Sequence, residues 1–207
     1  MLENALLNLR TRVARKSDLP ALKALAETSV RVLNSRDYTR KQIESALRYL
    51  LGVDQTLIDD GTYYVAEVNG RIIGSGGWSR REATYDRFDD TGVIAGASLL
   101  NPHREAARLR AFFVHPDWAR HGIGRLMVRI SELSARTHGF RKLELTATRT
   151  GIPLYLACGF RLVEQRDIVF PDGVAFDTFV MEKRLIANAA MPRSGTRTKS
   201  MPRPVAY

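Results

Sequence analysis

The sequence predicts an α/β (α+β) domain, a mixed and mostly antiparallel central sheet of about seven strands flanked by helices. Three observations carry that prediction. Two hairpins are marked by their turns, Asn69-Gly70 and Pro171-Asp172-Gly173, each between β-rich runs. Two helical patterns separate the first strand from the first hairpin. A third observation is the apolar run Ala111 to Val114, which enters a glycine-bearing turn and leaves it as a long amphipathic helix. The resulting element order is β-α-α-β-β-β-α-β-α-β-β.

Residues 1–10 carry Leu2, Leu6, Leu7 and Leu9 and read as a short lead-in helix, and Arg12 to Arg15 as the first strand. Ser17-Asp18-Leu19-Pro20 is a helix start, with a capping residue and an early proline. Leu19, Leu22, Leu25, Ala26, Val30 and Leu33 keep helical spacing as far as Asn34. Thr39 and Gln42 form a capping box for a second helix, whose core face is Ile43, Leu47 and Leu50 and which ends at Gly52. Thr62 to Val68 and Arg71 to Trp78 are the first hairpin. Residues 79–106 are charged and irregular, a length of loop that often forms a functional rim and equally fits a solvated insertion.

Arg108 to Val114 is the strand that feeds the glycine turn. The helix beyond presents Ile123, Leu126, Met127, Ile130 and Leu133 at three- and four-residue steps and is capped by Gly139. Leu143 to Ala147 alternates as a strand, and Ile152 to Cys158 is a short helix stopped at Gly159. Arg161 to Phe170 and Val174 to Arg184 close the chain as a hairpin. The expected organisation is a lead-in at 1–10, one domain at 11–186 and a tail at 187–207. The tail's Ala, Pro, Arg, Ser and Thr cannot bury enough apolar surface to order it.

Composition narrows the function classes. The chain has 207 residues, 44% hydrophobic and 26% charged, enough for one sizeable core. No apolar run approaches the about 20 residues needed to cross a bilayer. The start lacks a secretory pattern and the single cysteine, Cys158, excludes an internal disulfide framework, so a cytoplasmic location with no membrane partner is expected. Net charge is +10, of which Arg193, Arg197, Lys199 and Arg203 supply +4 without an acidic neighbour. The remaining charge is spread without a basic run, so a polyanionic cofactor or simple solubility accounts for it as well as nucleic acid does.

The glycine turn reads Val114-His115-Pro116-Asp117-Trp118-Ala119-Arg120-His121-Gly122-Ile123-Gly124-Arg125. Helix-start N–H groups lack intrahelical partners, and the helix dipole adds positive charge there, which favours phosphate. Glycine removes the Cβ that would hold a pyrophosphate away from the backbone. On these residues alone an ordinary tight turn remains an equal reading.

The stretch resembles the signature of the GNAT superfamily of N-acetyltransferases, [RQ]-x-x-G-x-[GA] after a strand ending in V-x-P. Ala119 stands where that pattern has Arg or Gln, and Arg120 is the candidate for its side-chain role. A second stretch, Thr148 to Phe160, is similar to the family's strand–loop–helix ending in Y-x-x-x-G-[FY], here Tyr155 to Gly159-Phe160. The element order also matches the GNAT fold, over roughly residues 10 to 185.

The resemblance implies an N-acetyltransferase, with acetyl-CoA as co-substrate and no metal. It implies that the fourth and fifth strands splay apart and that main-chain groups of Phe112, Phe113 and Val114 pair with the pantetheine arm. The amides of Arg120, His121, Gly122, Ile123, Gly124 and Arg125 then cradle the pyrophosphate, with Arg120 and Arg125 adding charge. Tyr155 matches the tyrosine whose hydroxyl protonates the departing thiolate; the alternative is a core tyrosine. Cys158 reads as a small apolar residue rather than a nucleophile.

The general base stays unassigned, with Glu67 and Glu27 placed only roughly and ordered water expected to serve. Strand alternation sets Arg108 and Arg110 on one face, suited to an anionic group on the acceptor, with Trp78 as an aromatic wall; a surface arginine ladder and a core tryptophan are equal alternatives. Asn34, Tyr38 and the 79–106 loop are the expected specificity elements. The acceptor is a primary amine of a small molecule or a protein, and self-association as a homodimer stays open. The competing class is a binding module that holds acyl-CoA, or nucleic acid through the basic tail, without turnover.

Overall fold

The computed structural model describes residues 7–82 and 98–185. Seven strands form one sheet in the order β1-β2-β3-β4-β5-β7-β6. They are β1 (Leu9–Val13), β2 (Tyr63–Val68), β3 (Arg71–Ser79), β4 (Ala107–Val114), β5 (Lys142–Ala147), β6 (Arg161–Val169) and β7 (Ala175–Arg184). Every neighbouring pair is antiparallel except β4 and β5. Among the described residues five α-helices accompany them: α1 (Leu19–Leu33), α2 (Arg40–Tyr49), α3 (Gln55–Asp59), α4 (Ile123–Thr137) and α5 (Ile152–Ala157).

The sheet separates two sets of core clusters. On one face Leu22, Leu25, Ala26 and Val30 of α1, Ile43 and Ala46 of α2, and Leu57 and Ile58 of α3 are buried. On the other, Val128 and Ala135 of α4 and Tyr155 of α5 pack with Trp78, Leu109, Leu143 and Leu145, and Ile123 and Met127 of α4 pack with Ala66, Val68 and Ile73.

The α2 capping box forms as the sequence predicts. Thr39 Oγ1 accepts the Gln42 N–H at 3.3 Å, and Gln42 Oε1 accepts the Thr39 N–H at 3.0 Å. Thr39→Ala is expected to cost about 1 kcal/mol of stability, read as a fall in urea midpoint at unchanged m-value.

Three features differ from expectation. β1 starts at Leu9, inside the presumed lead-in, because Leu9 and Arg10 pair with Val68 and Glu67; Leu2 and Leu6 lie outside the described residues. Helix α3 was not foreseen. At five residues it is too short to show a period, and Asp54 caps it by accepting the Thr56 N–H at 3.0 Å. Helix α4 buries Ile123, Met127, Val128, Ser131 and Ala135, whereas Leu133 is exposed. The small residues let the helix lie close on the sheet: a Cβ on Gly74 of β3 would stand 2.5 Å from Ile123 Cγ2.

Arg12 of β1 holds the entry to α1. Its guanidinium donates to both Asp18 carboxylate oxygens, at 2.7 and 3.0 Å. That bond, with the Arg15 N–H behind it, keeps the Asp18 pKa below its ordinary value. The lowered pKa adds stability that is fully present above the unfolded carboxylate pKa of about 3.9 and is lost as pH falls through the folded value. Asp18→Asn is therefore expected to flatten the acid limb of the stability–pH curve below about pH 4. Thermal melts of both proteins across that range are the measurement.

Candidate active site

β4 and β5 pair only through Ala107↔Leu143 and Arg108↔Glu144, then part. A bulge in β4 accompanies the parting. Ser75 faces Phe113 and Gly77 faces Arg110, so Ala111 and Phe112 together oppose Gly76. Ala111 takes a left-handed conformation with φ of 56°, a strained choice for alanine that bends the strand. The Tyr63 hydroxyl donates to the Ala111 carbonyl at 2.9 Å, with Ser75 Oγ 3.1 Å away. Tyr63 is fully buried, and burial pushes its pKa up, so it stays a donor.

The bulge also inverts the alternation of β4. Before it, Ala107 and Leu109 face α4; after it, Phe112 packs on that side while Phe113 joins the α1 cluster. The parted strands leave a cavity of about 230 Å³ reached by Ser29, Asn34, Asp54, Arg110, Gly124 and Tyr155.

Main-chain direction along β4 corrects one expectation. The His115 N–H donates to the Ile73 carbonyl of β3 at 2.9 Å. By alternation Phe113 also turns its backbone to β3, while Phe112 and Val114 turn theirs to the gap. The Val114 N–H there meets Ser29 Oγ at 3.2 Å.

Past β4, His115 caps a single 3₁₀ turn, Pro116–Trp118, which anchors the buried Trp118. Arg120 (φ 67°) and Gly122 (φ 84°) then turn the chain left-handedly into α4. The bond from the Leu126 N–H to the Gly122 carbonyl, 2.9 Å, opens the helix ladder. The amides of Ile123, Gly124 and Arg125 precede it. Arg120, His121, Gly122 and Arg125 are exposed, while the Ile123 side chain is buried beneath the turn. Gly124 lines the cavity, and a Cβ there would stand 3.0 Å from Leu154 Cδ2.

The opposite wall is α5. Thr148 caps the 3₁₀ turn Arg149–Gly151 that leads into it. Tyr155 is nearly buried yet lines the cavity, its ring edge-on to Phe112 at 6.3 Å and Phe160 at 5.8 Å. Cys158 is half-buried, and burial pushes its thiol pKa up, which disfavours the nucleophilic thiolate.

Not every expected site residue reaches the cavity. Arg110 lines it, paired with Asp54 at 2.9 Å, but Arg108 is turned into an ion pair with Glu144 of β5. Trp78 is 0% exposed, among His138 and Phe140, because β3 alternation aims it at α4. Tyr38 is also in the core. Its ring stacks on Phe176 at 4.3 Å, its hydroxyl donates to the Asp177 carbonyl at 2.9 Å and accepts the Arg149 N–H at 2.7 Å. Burial pushes its pKa up to about 12. Glu67 pairs with Arg12 and Glu27 is exposed; neither lines the cavity.

Sequence reasoning missed Asp54, the one carboxylate among the described residues that line the cavity. Its place before Leu57 and Ile58 marks a helix cap; its ion pair across to β4 has no local signal. Most of the expected 79–106 specificity loop, residues 83–97, and the tail from 186 onward lie outside the described residues. Among the described residues no group of three or more His, Cys, Asp or Glu could hold a metal, and no helix is long and apolar enough to cross a membrane.

Comparison with known proteins agrees with this geometry. The acetyltransferase (GNAT) domain profile matches residues 59–162. An amino-acid acetyltransferase of Mannheimia succiniciproducens is 32% identical over 88 residues, 42% of this chain and only 20% of that relative's length. Among solved structures, a GCN5-related N-acetyltransferase of Rhodopseudomonas palustris superposes with a TM-score of 0.60 at 18% identity, covering 86% of this chain and 94% of its own. The PaiA N-acetyltransferase of Thermoplasma acidophilum, solved with coenzyme A, gives 0.58 at 18% identity, covering 86% and 99%. YncA of Salmonella typhimurium, solved with acetyl-CoA, gives 0.57 at 20%, covering 88% and 97%. At these identities the structures speak for the fold, and the profile, spanning half of the sequence, speaks for the family: the chain belongs to the GNAT acetyltransferases.

Proposed function

We propose that the protein is an acetyl-CoA-dependent N-acetyltransferase in which a primary amine attacks the thioester directly. The observation that carries this reading is the β4 bulge. It opens a gap between two strands, with an amide-lined glycine turn at one end and a tyrosine on the wall. Acetyl-CoA supplies an activated acyl carbon and a thiolate leaving group. The gap suits such a molecule: a Cβ on Gly124 would crowd Leu154 and Val114 at its end, and by alternation Phe112 and Val114 turn main-chain groups toward it.

The remaining roles belong to the chain. The amides from Arg120 to Arg125 cradle the pyrophosphate, with Arg120 and Arg125 adding charge. Ser29 Oγ, now on the Val114 N–H, yields that donor to the arm. The Tyr155 hydroxyl protonates the departing sulfur. The amine's proton leaves through water, since the lining carboxylate Asp54 is committed to Arg110. That same commitment favours a second reading, a module that binds acyl-CoA without turnover. Thiol release from acetyl-CoA, followed across a panel of small-molecule and peptide amines, separates the two. Release with an amine establishes transfer; tight acetyl-CoA binding without release by any amine establishes the module.

Asp54 and Arg110 lie at the end of the cavity next to α2 and α3, where the acceptor enters. Asp54→Asn weakens the ion pair that holds Arg110 in place, a bond to a charged group worth roughly 1.5–3 kcal/mol, and is expected to raise the acceptor KM on the order of tenfold. The dissociation constant for acetyl-CoA, measured by calorimetry, is expected to stay unchanged.

A further inference from the structure

We propose that β6 is a homodimerisation edge, at which two copies of the chain join their sheets in one antiparallel register centred on Gln165. Among the described residues β6 is the last strand of the sheet and pairs only with β7. Eight of its nine residues are exposed, including Leu162, Val163 and Val169 at 50%, 47% and 65%. A nine-residue edge, about 30 Å long, with apolar side chains in water is a template for another strand.

The open side of β6 can be read residue by residue. The Arg166 carbonyl accepts the Thr178 hydroxyl of β7 at 2.7 Å, and the Phe170 N–H donates to the Val174 carbonyl at 2.9 Å. Both residues therefore turn their backbone to β7. By alternation Gln165, Asp167 and Val169 turn theirs outward.

A two-fold antiparallel pairing must set these outward residues against one another, so its axis falls on a residue rather than between two. Centred on Glu164, Arg166 or Asp167, it would place a charge directly opposite itself, which is destabilising. Centred on Gln165, it places Glu164 opposite Arg166 of the second copy, and Arg166 opposite that copy's Glu164. These two side chains already lie 3.2 Å apart within one strand, at 55% and 52% exposure. Pairing turns this two-residue contact into a four-residue network of alternating sign. Leu162 lies before the bulge at Leu162–Glu164 and shares the face of Met181, opposite to that of Ile168 and Phe176, so the register rests on charge. The charge pattern thus fits one partner, a second copy.

Sedimentation velocity on the full chain over a range of concentrations tests this. A concentration-dependent dimer is expected. Glu164→Arg should weaken it at least tenfold, because each Arg166 then faces an arginine. The swap of Glu164→Arg with Arg166→Glu should restore it to near the original constant. Both positions are exposed, so circular dichroism should show an unchanged fold. Gln165→Pro, which removes an outward N–H and no bond to β7, should also abolish the dimer. A monomer at every concentration overturns the proposal, as does a dimer indifferent to Glu164→Arg or one the swap fails to rescue. A full chain that is monomeric, but dimerises once truncated after Leu185, overturns it too, by showing the edge covered by the chain's own C-terminal segment.

Discussion

Tyr155→Phe is expected to lower turnover by roughly 10²–10⁴-fold, the usual contribution of a general acid, while leaving the acetyl-CoA dissociation constant near its original value. The two effects separate because the ring and the hydroxyl do different jobs. The ring packs edge-on between Phe112 and Phe160, and its Cε2 atom fills the space beside Gly151, where a Cβ would stand only 3.0 Å away. Phenylalanine keeps all of that. In the proposed mechanism the hydroxyl is what the departing thiolate needs. A loss smaller than this range would mean that water substitutes as the proton donor. Turnover and affinity must be measured on the same folded variant. Full activity would make Tyr155 a packing residue alone. Weakened binding with unchanged turnover at saturation would assign it to holding the cofactor.

Much of this architecture was legible because local chemistry and tertiary need coincide. Thr39 and Gln42 announce the start of α2 and form the bonds their types predict. Asn69-Gly70 turns the first hairpin, with both residues at positive φ. The glycine turn and Tyr155 were readable through two short motifs whose spacing survives whatever the rest of the chain does.

What was not legible depends on pairing across the fold. Alternation correctly set Arg108 and Arg110 on one face, yet only Arg110 reaches the cavity, because Glu144 stands opposite Arg108 in β5. Nothing in the run Ala111-Phe112-Phe113 marks a bulge. The conformation of Ala111 is imposed by Tyr63 and Ser75 from β2 and β3, and with it goes the choice of which main-chain groups face the gap. Asp54 was missed for the same reason, since its partner is 56 positions away in the chain. Trp78 was misplaced because an aromatic in a strand beside the site looks the same from sequence whichever face it takes.

Gly124→Val is expected to weaken acetyl-CoA binding at least tenfold, about 1.4 kcal/mol, without unfolding the protein. Gly124 is the second residue of α4 and has a negative φ, so valine meets no backbone strain there. What it meets is Leu154 Cδ2 at 3.0 Å and Val114 Cγ2 at 3.7 Å, the two side chains that flank the end of the cavity. The branched methyls must either displace Leu154 or project into the space the pyrophosphate takes. Gly122 supplies the contrast. A Cβ at Gly122 touches nothing within 4 Å, but its φ of 84° penalises any L-residue, by roughly 1–2 kcal/mol. Gly122→Ala should therefore lower stability with little direct effect on the cavity, while Gly124→Val should lower affinity with little effect on stability. Calorimetric titration and thermal melts on both variants read the two quantities independently. Combining Gly124→Val with Leu154→Ala relieves the crowding at α5 but not the intrusion into the gap. Binding that stays weak in the double variant locates the pyrophosphate at Gly124. Affinity unchanged in the folded single variant would move the phosphate away from this turn altogether.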